Sequence, residues 1–129
     1  MPSMPESNLY EYAVVRYMPA VERGEFVNVG LVMMCKRRRW IRTRIKFHRD
    51  KALMLKPDCD IDAALAQLES FGLIAEGKGD SPIAALEAHE SFRWLTAVRS
   101  ACIGTSRPHP GKTADLDATF DSLFAELVE

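Results

Sequence analysis

The stretch that decides the fold is FVNVGLVMMCKRRRWIRTRIKFH, residues 26–48. Residues 26–35 are apolar at nearly every position, which predicts a central strand covered on both faces. Residues 40–48 alternate between apolar and mostly basic side chains, which predicts one face on a core and one face in water. The basic turn at residues 36–39 joins the two segments, so they are predicted to pair as an antiparallel hairpin.

Further elements are predicted on both sides of this hairpin. Residues 9–17 are rich in aromatic and β-branched side chains and are expected to form a strand. Beyond Asp50 the apolar spacing becomes helical. The predicted elements are then a helix after the cap residues Asp58 and Asp60 that stops at Gly72, a short helix from Ser81 and Pro82 to about Glu90, a strand over residues 99–105, a turn over residues 108–111, and a closing helix over about residues 116–128.

These elements predict an α+β fold, a mostly antiparallel sheet of about four strands with helices packed on it. One domain is expected over residues 9–129, after a flexible N-terminal segment at residues 1–8. The closing amphipathic helix is expected to cover one sheet face, with Arg42 and Arg44 pointing away from it. Its stripe of Leu116, Phe120, Leu123, Phe124 and Leu127 is predicted to lie on Val27, Val29, Leu31, Ile41, Ile45 and Phe47.

Composition limits the class of protein. Of 129 residues, 47% are hydrophobic and 27% are charged, values typical of a globular domain and unlike those of a disordered chain. No apolar run is long enough to span a membrane, and the first residues do not resemble a secretory signal, so a cytoplasmic protein is expected. The three cysteines and three histidines lack the spacing of a metal site, and neither a metal nor a cofactor is expected.

Charge is divided unequally along the chain. Residues 1–56 carry twelve Lys and Arg against five Asp and Glu, and residues 57–129 carry five against thirteen. Such an asymmetry is typical of a polyanion site, or of two faces that pair within or between molecules. Basic side chains at every second strand position match the spacing of successive phosphates, so the hairpin is a candidate nucleic-acid site. The candidate residues are Arg37, Arg38, Arg39, Trp40, Arg42, Arg44 and Lys46. The isoelectric point of about 6.3 favours the alternative interpretation, a solvated basic strand beside acidic helices.

A second candidate site combines hydroxyl, guanidinium and imidazole groups with a glycine turn before a helix, the parts of an anion site. Its residues are Arg99, Ser100, Ser106, Arg107, His109 and Lys112. An enzyme would use Ser100 and His109 there, with Arg99 binding an anionic substrate. The alternative is an ordinary polar strand end. No nucleophile-elbow or phosphate-loop motif supports catalysis, so no catalytic residue is assigned.

Three segments, residues 12–35, 47–65 and 92–111, resemble in order and spacing the bacterial domain-of-unknown-function 3037 family. The most specific pieces are FVNVG at residues 26–30 and FRWLT at residues 92–96. The resemblance implies no catalytic residues. Because genes of that family often lie beside those of HipA-like serine/threonine kinases, it implies such a kinase as a partner. The hypothesis is therefore a non-catalytic accessory or interaction module, with nucleic-acid binding or an enzyme as alternatives.

Overall fold

A sheet of antiparallel strands lies at the centre of the molecule. The computed structural model describes residues 7–77, 87–97 and 102–129. The strands found there are β1 (Asn8–Tyr17), β2 (Val27–Cys35), β3 (Trp40–Ile45), β4 (Ile103–Thr105) and β5 (His109–Thr113). Their order is β3-β2-β1-β4, and β5 pairs with the other half of β1 on the same side as β4. The α+β class and the hairpin of β2 and β3 are confirmed.

Helices lie on both faces of this sheet. Those in the described ranges are α1 (Arg49–Leu55), α2 (Ile61–Ala75), α3 (Ala88–Leu95) and α4 (Leu116–Leu127), and a turn of 3-10 helix (Val21–Arg23) precedes β2. Helices α1, α2 and α3 pack on one face, where Leu68 and Phe92 are buried. Helix α4 packs on the opposite face through Phe120 and Phe124. The sheet is therefore the middle of three layers.

A β-bulge in β2 decides which residues share a face. The register between β1 and β2 skips Val29, which has no partner in β1. Because side chains alternate along a strand, one extra residue reverses the alternation beyond it. Val27 and Val29 therefore face α1, α2 and α3, whereas Leu31 and Met33 face α4. The prediction that Val27 and Val29 lie under the closing helix together with Leu31 is wrong for this reason.

The closing helix also lies on the opposite face of β3 from the one predicted. Trp40 packs with the α4 cluster, whereas Ile41, Ile45 and Phe47 pack with the larger core under α1, α2 and α3. Of the predicted contact residues on the sheet, only Leu31 meets α4. Arg42 and Arg44 consequently point towards α4 and not away from it, and their pairing with its acidic residues is the physical reason.

The segment after α3 forms one interrupted edge of the sheet. The predicted strand over residues 99–105 is confirmed at Ile103–Thr105, and residues 98–101 lie outside the described ranges. Between β4 and β5, the Ser106 N–H donates to the Val14 carbonyl at 2.8 Å and the Ser106 hydroxyl accepts from the Val14 N–H at 2.9 Å. The predicted turn over residues 108–111 is wrong, because His109–Thr113 pairs with β1 as β5. Pro110 is tolerated because β5 lies at the edge of the sheet that the described strands form.

Helix boundaries agree with the sequence in part. Asp60 caps α2 by accepting from the Ala63 N–H at 3.0 Å, as its position predicts. The helix does not stop at Gly72 but continues to Ala75. The closing helix is confirmed, with Asp115 as its cap. The predicted helix start at Ser81 and Pro82 lies outside the described residues, α1 was not predicted as a separate helix, and α3 continues five residues beyond the predicted end at Glu90.

The N-terminal boundary differs by one residue from the prediction. Asn8, expected in the flexible segment, is the first residue of β1 and is buried. Its side-chain carbonyl accepts a hydrogen bond from the Arg38 Nε at 3.0 Å, which ties the start of β1 to the tip of the hairpin. Within the described residues, none of the helices combines the length and apolar character needed to cross a bilayer.

Candidate functional site

The basic face of β3 is bound by α4. Arg42 Nη1 donates to Asp117 Oδ1 at 3.0 Å, and Arg44 Nη2 donates to Asp121 Oδ1 at 2.8 Å. Both guanidinium groups also lie over aromatic rings, 4.6 Å from the Phe120 centroid for Arg42 and 5.2 Å for Arg44. Such contacts are favourable because the ring face carries negative charge. The strand face predicted to follow a phosphate backbone is therefore already occupied by carboxylates of the same chain.

The remaining residues of the predicted nucleic-acid site are spread over different environments. Trp40 packs edge-on against Phe120, with ring centroids 6.5 Å apart, and is half-buried, so it does not present an open face to a base. Arg37, Arg38 and Arg39 are exposed at the hairpin tip, where Arg39 adopts a positive φ of 51°. Lys46 is exposed beyond the other end of β3. The structure thus places these cations at the two ends of the strand and not in one continuous stripe.

The second predicted site does not form among the residues described. Arg99 and Ser100 lie outside them, so the enzyme hypothesis that depends on these two residues stays a prediction. Ser106 is buried, and its hydroxyl is engaged with the Val14 N–H and the Arg107 carbonyl. This residue has a structural role.

The other members of that predicted site occupy β5 and its approach. The His109 ring stacks on Tyr12 with centroids 5.2 Å apart, and Arg107 and Lys112 are exposed. Because Lys112 is an odd number of positions from His109 in the strand, their side chains point to opposite faces. At the start of the following helix, Asp115 caps α4 and Asp117 lies in its first turn. Carboxylates already hold the positive end of that helix.

The structure contains a groove that the sequence patterns did not reveal. It lies between α2 and β3 and has a volume of about 380 Å³. Its lining residues are Thr43, Ile45, Leu65, Leu68, Glu69, Gly72, Leu73 and Glu76. Leu65 and Leu73 are 40% and 38% exposed, although both are large apolar residues on a helix that packs against the sheet.

Gly72 keeps this groove open. A Cβ built at Gly72 meets no atom within 4 Å, so the helix has a bare surface there between Leu73 and Glu69. The sequence feature that points to this groove is the number of apolar residues in α2, which is larger than one core-facing stripe of a helix requires. Leu65 lies between the core residues Ala64 and Leu68 in the sequence, and its exposure shows that α2 presents a second apolar strip towards β3.

The outer side of β3 borders the same groove. Among the described strands, only β2 pairs with β3, so β3 is an edge strand, and all six of its residues are half-exposed. The Lys46 N–H donates to the Val29 carbonyl at 2.7 Å, which fixes the direction of the backbone groups. This direction alternates from one residue to the next in an antiparallel ladder. The backbone N–H and C=O groups of Arg42 and Arg44 therefore hydrogen-bond to β2. The N–H and C=O groups of Ile41, Thr43 and Ile45 then point outwards.

Gly30 positions β3 against β2 at this edge. A Cβ at Gly30 would lie 2.5 Å from Ile45 Cδ1 and 2.9 Å from the Arg44 carbonyl oxygen. Glycine is therefore required for this close approach of the two strands. The Thr43 hydroxyl adds a hydrogen bond to the Leu31 carbonyl at 2.9 Å. These contacts hold the edge strand rigidly beside the groove.

Other polar clusters in the described residues are structural in character. Arg93 in α3 makes a two-pronged hydrogen bond to Glu11 in β1, which raises the pKa of Arg93 and joins the helix to the sheet. Glu87, His89 and Glu90 have their ligand atoms within 4.8 Å of one another at the start of α3. Acidic groups are favourable at a helix N-terminus without any ion.

A family profile matches residues 12–128, nearly the whole chain. The chain belongs to the DUF3037 family. The description of this family, "Protein of unknown function (DUF3037)", assigns no activity. No curated protein and no solved structure matches the chain. In this DUF3037 protein both the edge strand and the groove lie within the matched residues.

Proposed function

We propose that this DUF3037 protein is a non-catalytic interaction module that docks a partner chain in the groove between α2 and β3. The observation that carries the proposal is the outward-facing backbone of β3 beside the exposed apolar residues Leu65 and Leu73. An edge strand offers hydrogen bonds to an added strand, and a neighbouring apolar groove offers pockets for its side chains. Both parts of such a docking surface are adjacent here.

A HipA-like serine/threonine kinase is the first partner to test. The reason is the gene association that membership of the family implies, which supports a paired or regulatory role. The groove supports only the manner of docking, because an edge strand binds any extended segment of suitable side chains. An extended segment of the kinase would lie along β3 and place apolar side chains against Leu73.

Co-expression of the two proteins, followed by size-exclusion chromatography, tests the proposal. Leu73→Glu is the informative variant, because a charge would then lie in the apolar groove at a position that is already 38% exposed. Met54→Glu is the matched control, since Met54 is 84% exposed on α1 and does not line the groove. We expect wild type and Met54→Glu to elute with the kinase and Leu73→Glu to elute alone.

Two outcomes contradict the proposal in different ways. If the wild-type chain never elutes with the kinase and leaves its activity unchanged, the kinase is not the partner. If Leu73→Glu binds as well as Met54→Glu, the kinase binds at another surface and the groove has no role in docking.

A further inference from the structure

We infer, on the basis of the interaction role proposed above, that the partner segment is an extended strand with acidic side chains at alternate positions and apolar side chains between them. It would add to β3 as a new edge strand of the sheet. Its acidic side chains would lie on the α4 side of the sheet, and its apolar side chains would lie in the groove on the α2 side.

The backbone of β3 determines that the occupant is extended. Ile41, Thr43 and Ile45 direct their N–H and C=O groups outwards at regular intervals, and an added strand can bond to all of them. A helix has no backbone groups to offer, because its own ladder uses them. The six residues of β3 correspond to about 20 Å of strand, enough for an occupant of about six residues.

The α4 side of this edge is positively charged. The turn and strand over residues 36–46 carry seven basic side chains and no acidic one. Asp117 and Asp121 pair with two of these seven, Arg42 and Arg44, whose side chains remain 33% and 38% exposed. Arg42 lies near both carboxylates, with its Nη2 3.6 Å from Asp121 Oδ1. Because a guanidinium has five N–H donors, Arg44 can bind a further carboxylate beside Asp121. Exposed Arg39 and Lys46 extend the positive charge beyond both ends of β3.

The α2 side has the opposite requirement. There the groove is lined by Ile45, Leu65 and Leu73, and its outer rim carries Glu69 and Glu76. An acidic side chain pointing to this side would be desolvated beside those carboxylates, whereas an apolar one would bury surface that is now exposed. The side chains of an added strand alternate between the two sides of the sheet. The two requirements together therefore predict a partner sequence in which acidic and apolar residues alternate.

A second copy of the chain is a poorer occupant for the same reason. Antiparallel pairing of β3 with itself keeps the even residues on one face, so Arg42 and Arg44 of one copy lie opposite basic residues of the other. Like charges directly opposite each other in a sheet are destabilising. Basic residues on an edge strand are a common means of preventing self-association. The edge therefore disfavours pairing with a second copy of β3 and favours pairing with an acidic strand.

Synthetic peptides test the inference directly by fluorescence anisotropy. The probe is a labelled peptide of about eight residues in which Glu alternates with Leu and Val. One control has the same composition in separate acidic and apolar blocks, and a second control has Lys in place of Glu. We expect the alternating acidic peptide to bind at least about tenfold more tightly than either control, and its binding to weaken with added salt.

Variants at Thr43 examine the backbone pairing. Thr43→Pro removes an outward-facing N–H that β2 does not use, and Thr43→Val removes the same hydroxyl while keeping that N–H. We expect Thr43→Pro to bind the peptide about tenfold more weakly than Thr43→Val, because only the proline lacks the outward-facing N–H. Circular dichroism checks that both variants fold. If Thr43→Pro does not fold, Leu73→Glu gives the same test from the groove side.

Failure of the acidic-strand inference and failure of the proposed interaction role give different results. Equal binding of acidic and basic peptides, or equal binding by Thr43→Pro and Thr43→Val, overturns the acidic-strand inference. If no peptide binds but the kinase still elutes with wild type and not with Leu73→Glu, the interaction role stands and the acidic strand is wrong. A dimer that dissociates on Thr43→Pro substitution would show that a second copy occupies the edge, which also overturns the inference.

Discussion

At the scale of single residues, the pair of Arg44 and Asp121 joins the edge strand to α4 near the surface. The two side chains are 38% and 57% exposed, so solvent screens the 2.8 Å contact. Exposed ion pairs contribute about 0.2–1 kcal/mol, and we expect a double-mutant cycle of Arg44→Gln and Asp121→Asn to give a coupling energy in this range. Urea denaturation measures it. A coupling energy that does not fall in high salt would contradict the assignment to an exposed ion pair.

Two glycines at the same site predict opposite effects of the same substitution. Gly30→Ala would place a Cβ against the Arg44 backbone carbonyl at 2.9 Å, so we expect a loss of about 1–3 kcal/mol in the free energy of unfolding. Gly72→Ala, with no atom within 4 Å of the new Cβ, should stabilise α2 by up to about 1 kcal/mol. Thermal denaturation of both variants tests this. Equal effects would mean that β2 and β3 are not so closely packed.

The buried Tyr17 predicts a pH dependence at the alkaline end. Burial, together with a hydrogen bond to the Cys59 side chain, raises the pKa of Tyr17 from 10.0 to about 12. The unfolded chain therefore loses this proton before the folded one does. The contribution of Tyr17 to stability is complete below pH 10 and is lost as the pH rises towards 12. Tyr17→Phe should flatten the decline of stability over that interval; an unchanged slope would assign the decline to other groups.

At the scale of elements, α4 holds one side of the sheet through Phe120. This side chain is fully buried, and it contacts Trp40 and both β3 guanidinium groups. Phe120→Ala should therefore cost about 3–5 kcal/mol, measured by urea denaturation. Glu126→Ala, at an exposed position of the same helix, is the control and should change little. If a chain lacking residues 114–129 stays monomeric, cooperative and equally heat-stable, α4 does not contribute to the core.

The face chosen by α4 shows what the sequence could and could not predict. The alternation of β3 predicted two distinct faces, and the apolar stripe predicted the helix. The face of the sheet on which the helix packs depends on a match between the spacing of its acidic residues and the spacing of the basic residues in β3. Asp117 and Asp121 lie about 6 Å apart along a helix, and Arg42 and Arg44 lie about 6.6 Å apart along a strand. Arg42 therefore meets Asp117 and Arg44 meets Asp121, and Asp121 also lies 3.6 Å from Arg42. Predicting Arg42 and Arg44 to point away from α4 concealed this match, although the division of charge had left pairing within the molecule open.

Two other features depend on single residues whose effect is not periodic. The bulge at Val29 reverses the faces of β2, and no pattern within the apolar run of residues 26–35 reveals it. Gly72 resembles a helix stop but lies inside α2, which continues to the buried residue Ala75. The groove follows from that continuation, so it was not predictable from capping rules.

At the scale of the whole molecule, the unequal charge of the two halves is partly neutralised within the fold. Arg42 and Arg44 from the basic half pair with Asp117 and Asp121 from the acidic half, across more than seventy residues of sequence. Exposed Arg39 and Lys46 lie beyond the two ends of β3, which is one of the edge strands among those described. Charge and hydrogen-bonding capacity therefore coincide at one edge of the sheet.

Hydrogen exchange tests whether that edge is open in the whole molecule. The amides of Arg44 and Lys46 point towards β2 and should exchange slowly, whereas those of Thr43 and Ile45 point outwards and should exchange quickly. In β2, which has a neighbour on each side, the adjacent amides of Leu31 and Val32 should both be protected. Amide exchange followed by NMR resolves each position. Equal protection of Thr43 and Arg44 in the isolated chain would mean that another segment or a second copy already covers β3, leaving no open edge for a partner.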